Sequence, residues 1–194
     1  MTAELPLLAD LHTRVRSKKY IKKYFSAVDA LKILSRVVEG LSYCHDQKVA
    51  HRDVKVGSVY YTEDNLIKLG NFLLDQKTPK LVIKNPAKRR TDIGTPLYMA
   101  PEQLKALKLI GKEKKYEVGA FDDFKADAWA LGLLIWDVLT FTCPINAETL
   151  EDMINLANAG ITVAELPNVM GLDDKVYQGF KEVTTNLLNP DPAK

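Results

Sequence analysis

The chain reads as a mainly α-helical domain carrying one short β-hairpin, on three observations. Apolar residues recur at helical spacing after Ser26 (Leu31, Leu34, Val38, Leu41, Cys44) and again from Val176 to Leu187, the mark of helices that bury one face. Lys125 to Thr140, KADAWALGLLIWDVLT, is apolar nearly all the way round, which a helix tolerates only when protein surrounds it. The third is a pair of β-rich runs, Val59-Tyr60-Tyr61 and Leu66-Ile67-Lys68-Leu69, separated by the turn formers Glu63-Asp64-Asn65, which predicts a hairpin.

In chain order, a short mixed helix is predicted around Leu7 to Val15. The basic run Lys18-Lys19-Tyr20-Ile21-Lys22-Lys23 follows, read as a solvated linker rather than a patch for an acidic partner. Ser26 with Asp29 three residues on gives a capping-box start to a long helix, whose apolar stripe is read as core. A polar loop, His51-Arg52-Asp53-Val54-Lys55, leads into the hairpin. Beyond it, Asp75 to Asp92 is polar and irregular, with Lys84, Lys88, Arg89 and Arg90 around Pro86. That composition predicts a surface loop ahead of a nuclear-import signal or a phosphate-binding patch. The Lys-rich stretch from Leu104 to Phe124 is read as an inserted loop, and helices are predicted over Lys125 to Thr140, Thr149 to Ala159 and Asp173 to Leu188. The last would face the core with Val176, Phe180, Val183 and Leu187.

With 194 residues, 46% of them hydrophobic and 27% charged, the chain is long enough for one sizeable core, so residues 1–194 are taken as a single domain. A net charge of +2 gives no general case for nucleic acid or membrane as a partner. Cys44 and Cys143 stand far apart with no C-x-x-C, which suits a reduced compartment better than a disulfide scaffold. Cys44-His45 is not taken as a metal pair, because adjacent residues point different ways. No secretory signal is evident, and the apolar run Ala128 to Trp136 is too short to span a bilayer. The expected location is the cytoplasm or the nucleus.

Several motifs now carry a resemblance. His51-Arg52-Asp53-Val54-Lys55 is similar to the catalytic loop H-R-D-x-K-x-x-N of protein kinases, and Asn71-Phe72-Leu73 stands where that family has its D-F-G. Gly94-Thr95-Pro96-Leu97-Tyr98-Met99-Ala100-Pro101-Glu102 matches G-T-x-x-Y-x-A-P-E at every fixed position, and Asp127, Trp129 and Gly132 fit D-x-W-x-x-G. The end, Leu187 to Lys194, resembles L-L-x-x-D-P-x-x-R without its arginine. Lys55, two residues after Asp53, is the serine/threonine signature. Lys68-Leu69-Gly70 and Thr91-Asp92-Ile93-Gly94-Thr95-Pro96 look most like the NIMA-related (NEK) branch. Leu81-Val82-Ile83-Lys84 imitates the family's nucleotide-binding V-A-I-K but follows the catalytic loop instead of preceding it, so it is a decoy.

The resemblance implies the helical C-terminal lobe of a kinase, with the small N-terminal lobe missing, an activation segment at about 71–102 and an inserted basic loop at about 104–124. It implies roles as well. Asp53 would accept the substrate hydroxyl's proton, Lys55 would sit on the transferring phosphate, and Thr95 would hydrogen-bond both. Arg52 would pair with a phosphate on the activation segment, making Thr91 the candidate phosphosite. Asp127 would hold the loop backbone, and His51 and Phe72 would stack inside the lobe with Trp129 as a further structural residue. Glu102 pairs in the family with an arginine one residue past Lys194, which implies a fragment of a longer product or a degenerate gene.

Phosphoryl transfer depends on positioning and charge neutralisation, so the required parts can be compared with the sequence. The nearest glycine pairs, Gly111/Gly119 and Gly171/Gly179, are eight residues apart, so no glycine-rich phosphate loop lies in these residues. A small lobe would need roughly 70 residues, more than precede Ser26. Magnesium prefers oxygen ligands that include a carboxylate, yet the family's two metal-binding positions are Asn71 and Ser58. A lost charge contact of ~4 kcal/mol at an effective dielectric near 20 is already a factor of ~10³ in rate. Replacing glycine by Leu73 also removes backbone freedom there. The leading expectation is therefore a NEK-like pseudokinase that works by binding protein partners or substrates, with no cofactor. The alternative is an ATP- and magnesium-dependent serine/threonine kinase, completed by a small lobe encoded upstream or supplied in trans; an unselected gene remnant is the third reading.

Overall fold

A computed structural model describes residues 26–62, 64, 66–72, 96–105, 121–163, 166–168 and 171–191, together with the backbone of residues 9–10. Helix α1, Ala27–Asp46, opens on the capping box anticipated from Ser26 and Asp29. The Asp29 N–H donates to Ser26 Oγ at 3.2 Å and the Ser26 N–H donates to Asp29 Oδ2 at 2.9 Å, satisfying two amides that no helical carbonyl reaches. Its buried face is Ala30, Ile33, Leu34, Val37 and Leu41. The expected stripe was rotated: Leu31 and Val38 are 37% and 44% exposed. The helix turns its Ala30-Ile33-Val37 line inward, and at Gly40 an added Cβ would make only an ordinary contact, 3.6 Å from Leu69 of the sheet.

Strands β2, Val59–Tyr61, and β3, Ile67–Leu69, form the predicted hairpin in the register Val59↔Leu69, Tyr60↔Lys68, Tyr61↔Ile67. A third strand, β1, Ala9–Asp10, pairs antiparallel with β2. The helix expected around Leu7 to Val15 is therefore corrected at these two residues. The free edge of β2 offers unpaired N–H and C=O groups, and pairing with them outweighs a weak local helical pattern.

Helix α2, Asp123–Thr140, is the centre of the lobe. Asp122 caps it, its Oδ1 accepting from the N–H groups of Phe124 and Lys125 at 2.9 and 3.3 Å. The helix thus starts two residues before the predicted Lys125, and residues 101–105 are helical, which narrows the loop expected over 104–124 at both ends. Leu133, Leu134 and Val138 are wholly buried, as an all-round apolar helix requires. Helix α3, Leu150–Ala159, is capped by Thr149, and helix α4, Asp174–Leu187, by Asp173.

Helix α4 packs along α2, and α1 packs on β3 and α2. A Cβ at Gly132 would stand 2.8 Å from the Leu188 side chain, so the glycine is what lets α4 close on α2. That seating brings only half of the expected face of α4 inward. Thr184 and Leu188 are buried and Tyr177, Phe180 and Leu187 lie against the core, while Val176 and Val183 are 38% and 48% exposed. The expected fold class, a mainly helical kinase-like large lobe with a short sheet, describes this architecture. Among the described residues no helix is long and apolar enough to cross a membrane.

Candidate functional site

The loop from His51 to Ser58 runs between α1 and β2, above the first turns of α2. Its backbone hangs on one buried carboxylate. Asp127, 2% exposed, accepts from the His51 N–H at 2.6 Å and the Arg52 N–H at 2.7 Å, and its Oδ2 also lies 3.0 Å from His45 Nε2. Such charge-assisted bonds to otherwise unpartnered amides fix a loop more firmly than neutral ones.

His51 is fully buried and its ring makes two further contacts. Nε2 lies 2.7 Å from the Gly70 carbonyl, and the Asp53 N–H reaches Nδ1 at 3.2 Å. Only the neutral tautomer with its proton on Nε2 satisfies both. Burial accordingly pushes the imidazole below its usual range. The ring also packs on Phe72, with centroids 4.3 Å apart, tying the loop to the residues that follow β3.

Asp53 stands next in the chain, half-buried. Lys55 Nζ donates to its carboxylate, 2.8 Å from Oδ1 and 2.7 Å from Oδ2. Asn71 Nδ2 donates to the same group, 3.1 Å from Oδ2. An ionised carboxylate only accepts, so the amide must present its nitrogen there. Asn71 holds φ at 62°, a left-handed conformation that asparagine tolerates better than most residues. Ser58 is wholly buried and its hydroxyl donates to the Asp53 carbonyl at 2.6 Å.

These four residues do not fit a magnesium ion. The cation needs several oxygens at close range, with carboxylates to balance its charge, and only Asp53 brings one. Asn71 aims N–H groups at that carboxylate, and the Ser58 hydroxyl is turned into the loop. Among the described residues no three His, Cys, Asp or Glu side chains converge as metal ligands would.

Arg52 is placed against the first turn of α2. Its guanidinium bonds Asp123 Oδ2 through Nε at 3.0 Å and Nη2 at 2.6 Å. Thr91 and Thr95 lie outside the described residues. Glu102 is half-buried and lines a cavity of about 110 Å³ with Lys125, Trp129 and Asn189; Trp129 is 3% exposed.

Three contributors escaped the sequence reading. Asp123 was placed in a loop, although Asp122-Asp123 ahead of an apolar run is a helix-start signal. His45 was considered only as half of a metal pair, and its edge-on packing against Phe124, 5.0 Å between centroids, joins residues remote in sequence. Tyr98 donates to Asp137 at 2.5 Å, and burial, with the neighbouring carboxylate second, raises its phenol well above the usual range. No local pattern marks that pair.

The sequence was compared with known proteins. The pattern that defines the protein kinase domain matches residues 1–194. A serine/threonine-protein kinase A of Trypanosoma brucei brucei is 32% identical over 170 residues, covering 88% of this chain and 34% of that protein. CBL-interacting protein kinase 4 of Oryza sativa subsp. japonica is 31% identical over 163 residues, 84% of this chain and 31% of the relative. Serine/threonine-protein kinase Nek9 of Xenopus laevis is 30% identical over 171 residues, 88% of this chain and 16% of the relative. The chain thus spans about a third or less of the length of these relatives.

Proposed function

We propose, from the premise that this chain belongs to the protein kinase family, that it is a pseudokinase lobe that binds proteins and does not transfer phosphate. The family generally uses ATP with magnesium and acts on protein substrates, so the reading turns on whether this site can handle the metal-bound nucleotide. One observation carries it. Where a metal-binding carboxylate would stand, Asn71 donates an N–H to Asp53 at 3.1 Å.

A carboxylate at position 71 would face Asp53 as a like charge and would need a cation between them. The amide removes the repulsion and satisfies Asp53 with no ion. Lys55 already neutralises the same group. The catalytic carboxylate is therefore at rest in a closed set of protein contacts, while the Ser58 hydroxyl is committed to the Asp53 carbonyl.

Within the family, Lys68-Leu69-Gly70 and Thr91 to Pro96 support a NIMA-related affiliation. The similarity to Nek9 supports it equally with other branches, since the trypanosomal and rice kinases match as well.

The experiment is a thermal-shift titration with ATP, with and without magnesium, beside a radiolabelled-ATP transfer assay. The expected result is no magnesium-dependent rise in Tm and no transfer. Binding to the native state must raise Tm, so a magnesium-dependent shift together with phosphorylation lost in Asp53→Ala overturns the proposal. The second reading, an active kinase completed by a small lobe, has in its favour the intact Asp53–Lys55 pair. It requires two closely spaced glycines and a V-A-I-K-like lysine encoded upstream, and fails if only non-coding sequence is found there.

A further inference from the structure

The guanidinium of Arg52 has a counter-charge built into the fold. Two of its N–H groups converge on Asp123 Oδ2 at 3.0 and 2.6 Å, with the side chains only 26% and 30% exposed. The other end of the same residue is held too, its backbone N–H donating to Asp127 Oδ1 at 2.7 Å. Asp123 and Asp127 are four residues apart on α2, so they occupy one face. Between them Arg52 adopts φ of 67°, a conformation disfavoured for a residue with a Cβ and kept only where the surroundings impose it.

We propose that Asp123 is the internal counter-charge that sets the shape of this loop, so that folding fixes the loop and phosphorylation of the activation segment is not needed for it. The chemistry runs in one direction. Asp123 is preorganised on the first turn of a buried helix, whereas a phosphate would have to displace it. An incoming phosphate would also meet Asp123 and Asp127, and like charges at close range oppose docking. The inference concerns the loop alone and stands whether or not the chain transfers phosphate.

The test is amide hydrogen exchange at His51 and Arg52 by NMR. In Asp123→Asn, exchange at both amides should quicken by about tenfold or more, the size expected for losing a charge-assisted hydrogen bond. Asp122→Ala, which strips the cap of α2 and leaves the ion pair, should show no such local change. Equal acceleration in both variants, or none in Asp123→Asn, overturns the proposal. With Asp123 intact, Thr91→Glu should leave both amides as protected as before, and a tenfold gain would also overturn it. Should Asp123→Asn not fold, the wild-type protein still decides. A slowly exchanging Arg52 Nε–H at neutral pH is expected, and one exchanging as fast as a free arginine side chain refutes the pair.

Discussion

The two ends of one loop draw their partners from different places. At the His51–Arg52 end the partners come from other parts of the fold: Asp127 takes two backbone N–H groups, Gly70 takes the imidazole, Phe72 packs on its face and Asp123 takes the guanidinium. At the Asp53–Asn71 end the side chains are just as well partnered, but with each other. A metal-phosphate site must leave oxygen lone pairs turned outward for a cation. Here an amide and a hydroxyl have turned those positions inward. The buried hydrogen bonds that Asp127 makes to the His51 and Arg52 amides do not involve Asn71.

The largest way to break the contrast is Asp127→Ala. It strips the framework end of its acceptor and leaves buried N–H groups unpaired, so a loss of ~3–5 kcal/mol in denaturant unfolding is expected. Asn71→Asp sharpens the contrast instead. It restores a carboxylate 3.1 Å from Asp53 Oδ2, and near the surface the repulsion should cost about 1–2 kcal/mol without added metal. Magnesium should then raise the Tm of this variant and leave the wild type unmoved; equal responses would remove the distinction between the two ends.

Ser26→Ala serves as a reference remote from both ends. Losing the α1 cap should cost ~1 kcal/mol in unfolding and leave the magnesium response unchanged. The smallest expected effect is a slope. Burial keeps His51 neutral in the native state, whereas in the unfolded chain it takes up a proton near pH 6.5. The unfolded state then binds more protons, so stability falls as pH drops below about 6.5 and is flat above it from this group. Tm measured against pH in wild type and His51→Gln checks it: the variant should lose that part of the acid slope.

Much of this was legible beforehand. The α1 capping box, the hairpin and the ends of α3 and α4 within one residue follow from local chemistry, since caps and turns involve residues three or four apart. The buried faces of α1 and α4 were half right: Leu34, Leu41, Phe180 and Leu187 face the core as expected, while Leu31, Val38, Val176 and Val183 do not, because two apolar stripes compete on each helix and docking chooses between them. Leu188 against Gly132 makes that choice for α4. The short β1 could not be anticipated, since its pairing partner lies some fifty residues away at Tyr60 and Tyr61.

By itself the sequence determined which residues stand at the metal-binding positions, and hence that amide and hydroxyl replace the usual ligands there. Only the tertiary structure decided where those groups point: Asn71 toward Asp53, Arg52 toward Asp123. The reason is that identity fixes what a side chain can donate or accept, while the choice among partners depends on groups brought together from distant parts of the chain.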